Sequence, residues 1–258
     1  MKCKSCKNRG KRNACFFLGI LSLITVVLCL SASCNADGRK AQKYEYGVFL
    51  NADRTAVPKL KNYETVVIDA QYFSKKDIRK LHADGTKVYS YLNIGSVENF
   101  RPYYKTYEHL AIGDYENWEK EKWVNVADKD WQEFMDTLAG KLKKKGVDGF
   151  FIDNCDVYDY AQKKDIFDGL TVLKKIRAMG KPVVVNGGDI YVTAYQSRYG
   201  SAADIMMGVN QESVWSRIDF TTKTFHTQKK TEREYFCQYL QACKADGMDV
   251  YLLEYTTD

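Results

Sequence analysis

The stretch 147–156, VDGFFIDNCD, decides how the chain is read. Its apolar run, 149–152, is of the kind that a parallel sheet buries on both faces, and it stops abruptly at Asp153, Asn154 and Asp156. A central strand that delivers acids to the mouth of an α/β fold has this form. The competing reading is a strand followed by a helix whose N-cap is Asp153 or Asp156. The stretch alone admits both, and the rest of the chain has to separate them.

Outward from it the same unit recurs: an apolar strand, a polar or aromatic exit, then a charged stretch of helical period. The pattern predicts strands at 46–50, 65–70, 87–93, 149–152, 182–186, 204–209 and 249–255. Helices are predicted at 74–83, opened by a Ser cap with an acid three residues on, and at 131–145, 166–179 and 231–245. The section 97–130, rich in Tyr, Trp and acid, is too long for an ordinary connection and reads as functional or flexible, with a short extended piece at 123–126. Alternations of this kind predict a (β/α)8 TIM barrel with seven strands visible, the eighth strand and last helix being expected to be missing from this chain. The rival is a doubly wound open sheet. No glycine-rich phosphate loop follows an early strand, which removes that fold's commonest use.

In a barrel the exits of all strands meet at one face. Here they carry Asp69, Asn93, Asp153, Asn154, Asp156, Asn186, Asp189, Glu212 and Glu254, so carboxylates converge. Asp69, Asp153 and Glu212 end the second, fourth and sixth predicted strands and are expected to share one layer. Two facing carboxylates, one protonated and one ionised, are what cleavage of a glycosidic bond needs, and Asp153 and Glu212 are the expected catalytic pair. Tyr91, Asn93, Asn154, Asp156, Asn186, Trp215 and Glu254, with Asp69, are expected to bind substrate. Asp69 serves equally well to hold a neighbouring loop, and Asn93 and Asn186 also suit simple turns. Tyr72, Tyr91, Tyr103, Tyr104, Tyr158, Trp215 and Tyr255 lie near the exits and suit stacking on sugar faces. With 14% aromatic residues, ordinary packing explains any single ring at least as well.

The first 33 residues differ in kind. Six Lys or Arg without an acid in residues 1–12, an apolar run at 16–30 and Ser31-Ala32-Ser33 before Cys34 make a secretory signal. The run is shorter than the ~20 residues of a comfortable membrane span. The small residues before Cys34 resemble a lipobox, with Ser31 where Leu is usual. A lipoprotein is the first reading, plain secretion the second, an uncleaved anchor the third. A tether at 34–43 and a barrel domain at 44–258 follow.

Removing the signal leaves 33 basic against 33 acidic residues, which takes away any electrostatic footprint for nucleic acid. Cys155, Cys237 and Cys243 are the body cysteines apart from Cys34 and make no disulfide framework. His82, His109 and His226 are scattered, so neither a metal site nor a cofactor is expected.

The run from Lys145 through Gly-Val-Asp-Gly-Phe-Phe-Ile-Asp-Asn-Cys to Asp156 resembles the fourth-strand signature of the glycoside hydrolase family 114 barrels, the endo-α-1,4-polygalactosaminidases and related glycosidases. The first strand, the VVIDA strand, Tyr91-Leu-Asn-Ile-Gly95 with Glu98 and Arg101, and Asn210-Gln-Glu212 fall where that family has matching segments. The resemblance implies a TIM barrel that cleaves α-1,4-linked galactosamine-rich exopolysaccharide with Asp153 and Glu212. An acidic mouth with few basic exits suits a cationic amino sugar polymer as partner and repels uronic acid polymers. The reading from another class is a non-catalytic carbohydrate-binding envelope lipoprotein on the same barrel. A deacetylase of the usual metal-dependent type is disfavoured by the scarcity of His.

Overall fold

The computed structural model describes residues 42–116 and 118–257. The predicted signal, Cys34 and most of the tether lie outside the described residues. Seven strands, β1 (Tyr44–Phe49), β2 (Tyr63–Ile68), β3 (Lys87–Asn93), β4 (Gly149–Asp153), β5 (Val183–Asn186), β6 (Gly208–Glu212) and β7 (Asp249–Leu253), form one sheet in chain order. Every neighbouring pair is parallel. The connections hold α1 (Lys75–Ala83), α2 (Lys129–Lys145), α3 (Lys164–Gly169), α4 (Val172–Ala178), α5 (Asp189–Tyr199) and α6 (Lys230–Ala245). The sheet curls into a nearly closed barrel of the (β/α)8 kind. Among the described residues its two edge strands share no ladder, yet their Tyr46 and Tyr251 rings pack at 4.8 Å.

Alternation along the strands sends side chains into two cores. Val67, Tyr89, Tyr91, Phe151 and Val184 fill the barrel interior, with Tyr46, Val48 and Tyr251 against them. The opposite faces meet the helices in one larger core that includes Ile68, Phe150, Ile152, Trp131 and Ile176. Trp131 anchors α2 there: its ring is 1% exposed and its Nε1 donates to the Ile94 carbonyl at 2.9 Å, so a large apolar body is buried without leaving its polar atom unpaired. Among the described residues no helix is long and apolar enough to cross a membrane.

The predicted capping box is present: Ser74 and Asp77 satisfy each other's backbone N–H at the start of α1. Other expectations change. The sixth strand runs through Asn210, Gln211 and Glu212 instead of ending before them. Its inward face carries site residues, so it lacks the apolar pattern that marks a strand. The helix expected over 166–179 is two, α3 and α4, broken after Gly169, where a Cβ would stand 2.6 Å from the Val126 carbonyl oxygen. Within the long section, Ser96–Glu98, Glu121–Val124 and Ala111–Asp114 form a small antiparallel sheet. A hairpin, Ser216–Asp219 with Thr224–Thr227, follows β6. Helix α5 gave no sequence signal because its buried face is made of Tyr191, Val192 and Tyr195, rings that a hydrophobic pattern undercounts.

Gly95 marks where this excursion leaves the barrel. A Cβ there would lie 1.8 Å from the backbone oxygen of Asn154, the residue after Asp153. Gly95→Ala is therefore expected to lower stability by at least about 2 kcal/mol in urea unfolding, since the obstacle is backbone and cannot rotate away. Parent-like unfolding would show that the approach is looser than described.

Candidate active site

Register brings the site together. Asn93 pairs with Asp153 across β3 and β4, and Asn186 pairs with Asn210 across β5 and β6. The centre is the Asn186 amide. Its Nδ2 donates to Asp153 Oδ1 at 2.9 Å and to Glu212 Oε1 at 2.8 Å, and its Oδ1 accepts from Asn210 Nδ2 at 2.6 Å. Two acceptors on the two hydrogens of one planar amide stand about 5 Å apart. Each carboxyl is held from its other oxygen by a phenol: Tyr91 donates to Asp153 Oδ2 at 3.0 Å, and Tyr255 donates to Glu212 Oε2. Tyr46 completes the ring of donors at Asn210 Oδ1, 3.5 Å away.

Burial pushes the Asp153 carboxyl up to about 7, and the charges of Glu212 and Asp156 add to it against the bonds from Asn186 and Tyr91. Asp153 keeps some surface at the mouth, but its carboxyl group is deep and desolvated. The Asp153 carboxyl therefore holds its proton up to near neutrality. Asp156 is pushed up to about 6, by burial first and by Asp189 and Asp159 after it. Its Oδ1 accepts from Gly188 N at 3.1 Å, over a turn in which Gly187 and Gly188 have φ of 60° and 67°. Only glycine enters that conformation at little cost.

The remaining expected site residues fall into separate roles. Asp69 does not join the layer of Asp153 and Glu212 by any hydrogen bond. It is 2% exposed, accepting from Arg101 Nη1 at 2.5 Å and from Gln71 N at 3.0 Å. Arg101 also clasps Glu98 through Nε at 2.9 Å and Nη2 at 2.7 Å. Burial opposes its charge, but the two acids outweigh burial and hold the guanidinium charged. Asp69 is thus spent on tying the excursion after β3 to β2. Asn93 and Asn154 are both 3% exposed and bond to one another at 3.0 Å, and Tyr115 donates to Asn154 Oδ1 at 3.1 Å. Asn154 has φ 68°, a left-handed position that Asn tolerates. Glu254 accepts from three successive backbone N–H groups, Val214, Trp215 and Ser216, at 3.0, 3.0 and 2.8 Å. It fixes the loop that presents Trp215, 52% exposed with the Arg233 guanidinium 5.3 Å from its ring centre. Asp189 faces Tyr235, not the pair.

Sequence reasoning passed over Tyr115, Arg101 as an ion-pair hub, and Glu121, which accepts from Ser96, Asn93 and Asn154. Glu121 begins the strand Glu121–Val124, which shares only its second half with the extended piece expected at 123–126; starting that piece two residues earlier reaches it. Among the described residues no group of three His, Cys, Asp or Glu has an arrangement suited to a metal ion.

A parallel barrel with two acids joined at its strand ends is compatible with a TIM-barrel glycoside hydrolase, and the family match decides the class. The profile of glycoside-hydrolase family GH114 matches residues 30–181, and the chain belongs to that family. It is a glycoside hydrolase. Solved structures share the fold: the glycoside hydrolase domain of PelA from Pseudomonas aeruginosa at 17% identity, with a TM-score of 0.70 over 83% of this chain and 84% of that one. Ega3 of Aspergillus fumigatus, in complex with galactosamine, is 20% identical with a TM-score of 0.63 over 83% and 77%. The α-galactosidase TtGalA of Thermus thermophilus is 9% identical, with a TM-score of 0.55 over 83% of this chain and 52% of that one. No curated protein matches the sequence.

The pH dependence follows from the raised carboxyl. The folded value of about 7 lies above the ordinary carboxyl value, so the native chain holds this proton more tightly than the unfolded one. Stability from this group is full below about pH 4 and falls as pH rises towards 7. Turnover that needs the ionised Asp153 carboxylate is expected to show an acid limb near pH 7 in kcat/KM. A profile flat down to pH 5 would contradict it.

Proposed function

We propose that the chain hydrolyses α-1,4-linked, galactosamine-rich polysaccharide with retention at the anomeric carbon, using Asp153 as nucleophile and Glu212 as acid and base. The observation that carries this is the Asn186 amide shared by both carboxyls. A separation of about 5 Å suits a nucleophile beside a proton donor; inversion needs roughly 6.5–9.5 Å to admit a water between acid and base. Glu212 protonates the leaving glycosidic oxygen while Asp153 attacks the anomeric carbon, so the bond to the leaving sugar breaks as a glycosyl ester forms. Water then attacks that carbon, gives a proton to Glu212 and returns Asp153 as a carboxylate. Burial raises the Asp153 carboxyl, and a cationic sugar in the mouth favours its ionised, attacking form.

The substrate class is supported by charge. Asp153, Asp156, Glu121 and Glu212 surround the mouth, whereas Arg101 is spent on Asp69 and Glu98, and Lys145 on the carbonyls of Ala70, Gln71 and Phe73. Such a field concentrates a polycation and repels a polyanion. The galactosamine bound to Ega3 points the same way. Trp118, in the connection between two strands of the small sheet, and Phe220 of the hairpin, about half exposed, approach at 6.3 Å and offer rings to a polymer. Export, with lipidation of Cys34 ahead of plain secretion, belongs to the same proposal and rests on the composition of residues 1–34.

The test is sugar release from de-N-acetylated α-1,4-polygalactosamine by residues 35–258 and by its Asp153→Asn and Glu212→Gln variants, each first shown to be folded. The expected result is release by the parent and a loss of at least about 1000-fold in both variants. A folded parent that binds the polymer without cleaving it would overturn the catalytic reading in favour of carbohydrate binding.

A further inference from the structure

Glu121 is a further carboxyl at the mouth, and the two-acid reaction leaves it unused. It stands at the start of the strand Glu121–Val124, partly buried. Its hydrogen bonds converge on one oxygen: Oε2 accepts from Ser96 Oγ at 2.6 Å, Asn93 Nδ2 at 3.4 Å and Asn154 Nδ2 at 3.5 Å. Among the described residues nothing bonds to Oε1, and no Lys, Arg or His reaches Glu121 as an ion pair. One oxygen is locked and the other carries no bond from a described residue.

The locking residues fix where that other oxygen lies. Asn93 is the register partner of Asp153, and Asn154 follows Asp153 in the chain. The negative charge of Glu121 also acts on Tyr91, which bonds Asp153, and on Tyr115, which bonds Asn154. Glu121 is therefore linked to Asp153 at one remove, through Asn93 across the ladder and Asn154 along the chain. In galactosamine the carbon next to the anomeric one carries the amino group. Burial pushes the Glu121 carboxyl upward and the charge of Glu98 adds to it, while the Ser96 and Asn93 bonds and the more distant Arg101 charge hold it down. An ammonium group at Oε1 would complete the charge-assisted bonding that the protein supplies only on the Oε2 side.

We propose that Glu121 Oε1 receives the C2 ammonium of the galactosamine unit under attack, making the enzyme selective for de-N-acetylated sugar at that position. An N-acetyl group has no charge for Glu121 to pair with and is bulkier at the same atom. This rests on the hydrolase reading for its meaning, and binding measured without turnover keeps the two separable.

The experiment compares Asp153→Asn, which removes chemistry, with the Asp153→Asn, Glu121→Gln double variant, both shown to be folded. Affinity is measured by calorimetry for α-1,4-linked galactosamine oligomers and for their N-acetylated counterparts. The expected result is a loss of 10-fold or more for the cationic oligomer with less than threefold change for the acetylated one, together with a flatter salt dependence. Equal losses on both oligomers would reduce Glu121 to a support for Asn93 and Asn154, and no loss on either would remove it from the site; each overturns the proposal. In the active background, Glu121→Gln is expected to lower kcat/KM on the cationic oligomer by a similar factor. A parent that binds selectively but turns nothing over would overturn the hydrolase reading and leave the recognition standing.

Discussion

The site depends on one side-chain amide placed between two acids. Left to themselves, two carboxyls about 5 Å apart in a desolvated barrel mouth repel and swing apart or both take protons. Asn186 prevents this by giving one hydrogen to each, and Asn210 fixes which way the amide faces. The parallel register of β4, β5 and β6 sets these side chains side by side, so the chemistry is a property of the sheet. The phenols of Tyr91 and Tyr255 then hold the outer oxygens, leaving each acid little freedom to move.

Around that pair the chain spends its other charges on geometry. The buried Asp69–Arg101–Glu98 group gains little stability of its own, because desolvation offsets most of the attraction, but breaking it would strand charges in the core. It pins the excursion after β3, and with it Asn93, Ser96 and Glu121, over the mouth. Glu254 does the equivalent on the other side by gathering three backbone N–H groups of the loop after β6. Lys145, whose charge burial disfavours, closes three carbonyls after β2 and explains why a basic residue precedes the apolar central strand. The result is an acidic opening whose internal cations are already occupied.

Much of this was legible in sequence. Apolar strands ending in polar exits gave the barrel and placed Asp153, Asn186 and Glu212 at one face, because parallel strands buried on both faces leave a strong signal. Legibility failed where polarity lies inside the fold. Strand β6 hides because two polar residues in it, Asn210 of the site's lining and the neighbouring Gln211, are buried, 0% and 6% exposed. Asp69 looked like a third mouth acid, since nothing in its neighbourhood names Arg101, thirty-two residues on, as its partner. Glu121 stood in a section with no clear period, and only pairing with Ser96–Glu98 brings it to Asn93 and Asn154. Local pattern reads what a strand buries; it does not read which polar groups find one another across the mouth.

The central claim, a pair spaced for double displacement, is tested most directly by the configuration of the first sugar released. Proton NMR during early hydrolysis of α-1,4-linked galactosamine oligomers, before mutarotation, should show the α anomer appearing first, with β growing in later. Initial release of the β anomer would mean that a water is activated between acids farther apart than one shared amide allows, and would contradict the account.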